Sequence, residues 1–180
     1  MKLDNVKVYV INGRGGKGKD TVCSILAAMC DSSDIYFESF DSARLTKKIA
    51  KECGWDNKKD DRGRKLLADI QTALIEYDDI PFKKTHAAVC RELSNMRNKN
   101  VFFIHAREPR EITKYVDAFD AKTVLVVNDN VPDVTSNHAD ASVLEYKYDF
   151  IIENNGSITD LKQTVLDFFK KEVDIWGAIE

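Results

Sequence analysis

The stretch that most limits what this chain can fold into is "VKVYVINGRGGKGKDT", residues 6–21. From Val6 to Ile11 it has the short, apolar, β-branched character of a strand buried on both faces. The run breaks at Gly13, and four of the chain's eight glycines fall between Gly13 and Gly18. Beyond them Val22, Ile25, Leu26 and Met29 recur at helical spacing. A strand, a bend of almost bare backbone and an amphipathic helix in direct succession predict a β-loop-α unit whose helix opens near Lys19.

Gly13, four intervening residues, Gly18 and Lys19 have the spacing of a phosphate-binding loop, in the structural context that loop needs. Glycines admit positive φ and let the chain wrap closely round an anion, so that several N–H groups point inward. The helix adds the positive end of its dipole. Lys19 adds a mobile point charge for the β- and γ-phosphates of a nucleotide. Gly13, Arg14, Gly15, Gly16, Lys17, Gly18, Lys19, Asp20 and Thr21 are therefore the expected nucleotide-binding residues. For the side chains of Arg14 and Lys17 two readings stand, phosphate contact or solvent. The usual template places a hydroxyl residue directly after the lysine to hold Mg²⁺, whereas here Asp20 intervenes and Thr21 follows. Asp20 and Thr21 are the expected Mg²⁺ residues, with Asp20 either holding the ion through water or favouring the helix N-terminus.

Further along, apolar runs at residues 35–37, 101–104, 124–127 and 150–152 read as four more short strands. Helical stripes lie between them: Leu66, Leu67, Ile70, Ala73, Leu74 and Tyr77; then Ile112, Tyr115, Val116 and Phe119. A last stripe, Ile158, Leu161, Val165, Phe168 and Phe169, follows Ser157 and Asp160, which are spaced as a capping pair. This alternation predicts a three-layer α/β/α fold around a five-stranded parallel sheet, with binding at the carboxyl ends of the strands. A helix-rich stretch from about 42 to 99 and a polar segment at about 128–142 depart from it.

Composition narrows the functional classes. With 180 residues, 43% of them hydrophobic, the expectation is one domain spanning 1–180. The 27 basic and 30 acidic residues are interspersed, which argues against a nucleic-acid partner. No apolar run reaches a membrane span and the start is charged, so no membrane association and a cytoplasmic location are expected, as a monomer or homodimer. Cys23, Cys30, Cys53 and Cys90 form no CxxC pair and read as reduced core residues, not a zinc or disulfide framework. His86 and Cys90, four apart on a helix, lack further ligands at metal-site spacing.

Other site candidates sit at predicted strand ends. Asp41 and Arg44 follow the second strand, where an arginine can grip a phosphate bidentately and a carboxylate can order Mg²⁺ or accept a hydrogen bond; alternatively Asp41 and Ser42 cap a helix. Arg64 is a phosphate clamp or helix surface. Arg107, past the third strand, is an acceptor ligand or pairs with Glu111. His105 stands at the strand end where many phosphate-loop enzymes carry a magnesium-holding aspartate.

The "GKDT" ending resembles the loop of phage-type deoxynucleoside monophosphate kinases and is similar to that of animal phosphomevalonate kinases. "RGRKLLADIQTAL" is similar to that family's arginine-led R-x-L-L-Q-x-x-G-T helix at Arg64, Leu66, Leu67 and Thr72, with Ala68 and Gln71 in place of Gln and Gly. "HAREPRE" resembles D-V-R-x-P-x-E at Arg107, Pro109 and Glu111, with His105 in the aspartate's place, and "YDFIIENNGSITDL" resembles the terminal D-x-x-I-x-N-x-G-S block. The resemblance implies a P-loop kinase fold of the nucleoside monophosphate kinase type, ATP and Mg²⁺ as cofactors, and a small phosphorylated nucleotide as substrate. Together with the strand-end reading, the expected catalytic residues are Lys19, Arg107 and Asp41 and the expected substrate residues Asp41, Arg44, Arg64 and Arg107, with the acceptor in the helical region 42–99 and a lid at 128–142. His138 resembles a family position, followed by Asp140 and Ala141 where Ser-Glu is expected, and the lid segment holds no arginine. Two alternatives stay open: a nucleotide-binding protein with little turnover, and a kinase for another metabolite such as phosphomevalonate.

Overall fold

The computed structural model describes residues 5–58, 60–94, 99–132 and 142–172. In chain order these form β1 (Val6–Asn12), α1 (Lys19–Ser32), β2 (Tyr36–Asp41), α2 (Arg44–Glu52), α3 (Asp61–Asp78), α4 (Ile80–Ser94), β3 (Asn100–His105), α5 (Pro109–Phe119), β4 (Lys122–Val127), a 3-10 turn (Ser142–Glu145), β5 (Phe150–Glu153) and α6 (Ile158–Glu172). The strands make one sheet in the order β2-β3-β1-β4-β5, and every pairing is parallel.

Because successive strand residues point to opposite faces, β1, β2 and β3 each feed two cores, while β4 and β5 feed one. Tyr9, Ile11, Phe103, Val124 and Val126 pack against Val22, Leu26, Leu161, Val165 and Phe169 of α1 and α6. Val8, Val10, Phe102 and Ile104 pack against Val89, Ile112 and Tyr115 of α4 and α5. Tyr9 stacks on Phe103 at 4.9 Å between ring centres. Its hydroxyl donates to the Glu172 carbonyl at 3.2 Å, so the buried ring keeps its polar end satisfied.

The strand order places β1 centrally, with β3 on one side and β4 on the other. The chain leaves β1 at the point where the sheet's winding changes direction, which is where parallel sheets open a crevice for ligands. The glycine-rich loop emerges there.

Several expectations need correction. The second strand runs to Asp41, beyond residue 37, and is only half-buried, because it is an edge strand paired with β3 alone and tolerates Glu38 and Ser39. The other edge, β5, leaves Ile151 61% exposed. The stripe on α3 is half-covered and Tyr77 is 82% exposed, since this helix packs chiefly on α2 and α4. Of the four free cysteines, Cys23 and Cys30 are buried, Cys53 is exposed and Cys90 is half-buried. Most of the 128–142 segment, with His138, lies outside the described residues. Ser157 and Asp160 do form a capping box: the Ser157 N–H donates to the Asp160 carboxylate at 2.8 Å and the Asp160 N–H to the Ser157 hydroxyl at 3.3 Å.

Candidate functional site

The loop between β1 and α1 is held by its glycines and by one buried amide. Gly13 has φ +151°, and a Cβ there would stand 2.5 Å from the Val126 carbonyl oxygen on the neighbouring strand. Gly18 has φ +101° and caps α1, and a Cβ there would run into the side-chain amide of Asn154. Neither position accepts a side chain without strain. Asn12, fully buried at the end of β1, accepts from the Gly13 N–H at 2.7 Å and donates to the Arg107 carbonyl at 3.0 Å and the Tyr148 hydroxyl at 2.7 Å. Tyr148 in turn donates to the Val143 carbonyl at 2.8 Å, and burial pushes its own pKa up to about 12. Asn12 therefore ties the loop's entrance to the turn after β3 and to the segment that leads into β5. The sequence signal for it is a polar residue closing an apolar strand.

The Lys19 ammonium lies over the loop, donating to the carbonyls of Gly13 and Arg14, the latter at 3.0 Å. Gly18 offers no side-chain cap to the first turn of α1, so the amides there meet no protein carboxylate or hydroxyl from that position. This combination of helix start, tight bend and ammonium suits a polyphosphate. Arg64, reaching across from α3, brings Nη1 to 3.9 Å from the Cβ position at Gly15, so this arginine and the loop share one site.

Lys17 is buried, and its ammonium donates to the carbonyls of Asn128 at 2.8 Å and Val131 at 2.6 Å, just past β4. The Asn154 side chain donates to the Lys17 carbonyl at 3.0 Å. A cavity of about 240 Å³ opens beside these groups, bordered by Arg14, Lys17, Val127, Asn128, Val131 and Leu144.

On the β3 side, His105 sits level with Ile11 of β1 and Asp41 of β2. Its Nδ1 is 3.9 Å from the Asp20 carboxylate and its Nε2 is 3.5 Å from the Cys23 sulfur. Burial holds the imidazole pKa below 6.5, against the opposing pull of Asp20 and Asp41, and leaves the ring neutral at pH 7. Burial likewise pushes the Cys23 thiol up to about 12, which leaves it unreactive. Asp41, the last residue of β2, accepts from the Ala43 N–H at 3.0 Å and from the Lys47 ammonium at 2.5 Å. It thus shapes the entry to α2, where Arg44 is the exposed first residue.

Arg107 presents its backbone N–H to Glu111 at 3.3 Å. Burial raises the Glu111 pKa, and hydrogen bonds from Ser42 and Arg107 offset part of that rise. Asp20 and Thr21 are exposed in the first turn of α1, with the Asp20 side chain 98% exposed. Among the described residues no three His, Cys, Asp or Glu side chains converge as a metal-ligand set. One carboxylate and one hydroxyl beside a phosphate loop nevertheless fit Mg²⁺, which takes one or two protein oxygens and completes its shell with phosphate and water. Among the described residues no helix is long and apolar enough to cross a membrane.

No protein-family model matches the sequence, and no curated protein matches it significantly. Solved structures do match. An APS kinase from Mycobacterium tuberculosis in complex with AMPPNP and APS is 15% identical with a TM-score of 0.53, covering 92% of this chain and 98% of that one. A dephospho-CoA kinase from Campylobacter jejuni is 16% identical with a TM-score of 0.51, covering 92% and 97%. A thymidylate kinase from Candida albicans is 10% identical with a TM-score of 0.50, covering 94% and 93%. At such identities the likeness is one of fold. The five-stranded parallel sheet with helices on both faces is thus the fold of the P-loop kinases.

Proposed function

We propose that this protein is a phosphotransferase that moves the γ-phosphate of ATP to a small phosphorylated acceptor, foremost a nucleoside or deoxynucleoside monophosphate. The observation that carries this reading is the Gly13–Gly18 loop at the switch point of the sheet, with the Lys19 ammonium above it and Arg64 beside Gly15. Loop amides hold the β-phosphate and Lys19 follows the transferred group, neutralising charge as it moves. Arg44, Arg64 and Arg107 border the acceptor side, in the region of residues 42–99 and the end of β3, where guanidinium forks match a monophosphate. Asp41 orders that side by fixing the start of α2 and offers a carboxylate to an acceptor hydroxyl. Asp20 and Thr21 would hold Mg²⁺, which offsets phosphate charge when bound. The chain's own contribution is alignment: donor on the loop after β1, acceptor on the loops after β2 and β3, in line across the sheet edge.

Two specific observations favour alternatives. The neutral, half-buried His105 stands where the kinase resemblance implies an aspartate, which favours a nucleotide-binding protein with little turnover. The "GKDT" ending also resembles the loop of animal phosphomevalonate kinases, which supports a non-nucleotide acceptor. ADP release measured by a coupled assay over a panel of ribo- and deoxynucleoside monophosphates and phosphomevalonate separates all three. Acceptor-dependent ADP should fall at least about 100-fold in Lys19→Ala. Saturable ATP binding with no acceptor-dependent ADP above that variant would leave binding alone.

A further inference from the structure

Three loops meet at the carboxyl edge of the sheet, and one residue of the phosphate loop is bonded to the other two. The Lys17 side chain reaches the turn after β4, where the Asn128 carbonyl takes both its ammonium and the Val131 N–H. The Lys17 carbonyl is held by the side chain of Asn154, after β5, whose own N–H is donated to the Val127 carbonyl at 2.8 Å. The second and third loops are in turn latched to each other. Asn155 accepts from the Asp129 N–H at 2.7 Å and donates to the Asp129 carboxylate at 2.9 Å, while Asn130 donates to the Asn155 carbonyl at 2.5 Å.

The charge of a lysine that is only 6% exposed as a residue must be compensated by partners in the protein, and two carbonyls at hydrogen-bond distance do so with directional, charge-assisted bonds. Such a cation is fixed by the carbonyls it binds. Lys17 also lines the adjoining cavity of about 240 Å³.

We infer that Lys17 is a positioning residue, a strut that sets the phosphate loop against the turns after β4 and β5 and so shapes the nucleotide's surroundings without its ammonium being a phosphate ligand. The inference rests on the proposed nucleotide site for its consequence, while its geometry rests on contacts within the protein.

The test compares the full-length wild type with Lys17→Met, which keeps the buried stem and deletes the donor, and with Lys19→Met as the variant that loses a phosphate ligand. In nucleotide-free protein, amide exchange at residues 127–131 should speed up on the order of tenfold in Lys17→Met. AMPPNP should bind Lys17→Met roughly three- to tenfold more weakly, with the wild-type dependence on salt, whereas Lys19→Met should show a flatter one because it has lost an ion pair. Unchanged exchange in a folded Lys17→Met would overturn the strut, and so would a salt dependence as flat as that of Lys19→Met. If Lys17→Met does not fold, Asn154→Ala cuts the tie at the Lys17 carbonyl and is decided by the same exchange readout. A wild type that takes up no AMPPNP would sink the proposed nucleotide site, and the nucleotide-free exchange would still decide the strut.

Discussion

At the scale of single residues, the site depends on positions where a side chain cannot be added or a proton cannot be placed. Gly18 combines φ +101° with the amide of Asn154 where a Cβ would go. Gly18→Ala should cost about 2 kcal/mol. In an Asn154→Ala background, where the clash is relieved and only the backbone strain remains, the cost should fall to about 1 kcal/mol. Urea unfolding of the four proteins of this cycle checks it, and strictly additive losses would mean the two positions do not meet. His105 offers a pH test. Its folded pKa lies below 6.5, so in the window between the two values the unfolded chain holds the extra proton and stability falls as pH drops through 6.5. Between about pH 7 and pH 5 the wild type should therefore lose more stability than His105→Gln. Equal losses by thermal melts at both pH values would show that the imidazole is not held neutral by the fold.

At the scale of elements, α1 and α6 differ in how they begin, and the difference follows use. The first turn of α6 is closed by its own Ser157–Asp160 box, whereas α1 begins at a glycine with no side-chain cap. Ser157→Ala should cost about 1 kcal/mol in denaturant unfolding with nucleotide binding unchanged, because the box lies on exposed helix surface. A loss of AMPPNP affinity in that variant would tie the start of α6 to the site. The far end of α6 is fastened differently: the buried Glu172 carboxylate accepts from Lys122 at 2.6 Å and its carbonyl from Lys7 and Tyr9. These cations also complement the negative end of the helix dipole. At α3 the apolar stripe is legible in the sequence, but its partner is not. The stripe meets α2 and α4 and leaves Tyr77 in solvent, a geometry that carries Arg64 to the phosphate loop.

For the molecule as a whole, one sheet serves two cores, and adjacent residues of its strands belong to different ones. Phe102 faces α4 and α5, and Phe103 faces α1 and α6. Each replacement by Ala should cost about 3–5 kcal/mol. Because the two layers share β1, β2 and β3, both variants should unfold in a single transition by far-UV circular dichroism and by tyrosine fluorescence. Two separated transitions in either variant would mean the layers melt independently. The same sharing delivers the site: β1 is central, so loops from both flanks of the sheet reach the bend that follows it.

What could be read from the chain alone was whatever short-range geometry dictates. The β1-loop-α1 unit, the parallel α/β class, the glycine spacing with Lys19 and the capping box of α6 all rest on residues within a few positions of one another, where backbone dihedrals and side-chain periodicity leave a pattern. The tertiary structure alone decided the strand order, the edge status of β2 and β5, the burial of Asn12 beside Arg107, the arrival of Arg64 at Gly15 and the turn of the Lys17 ammonium toward Asn128. Asn154 and Lys17 meet across 137 positions of chain. A contact of that span depends on which strands are neighbours, a property of the closed sheet that no local spacing encodes.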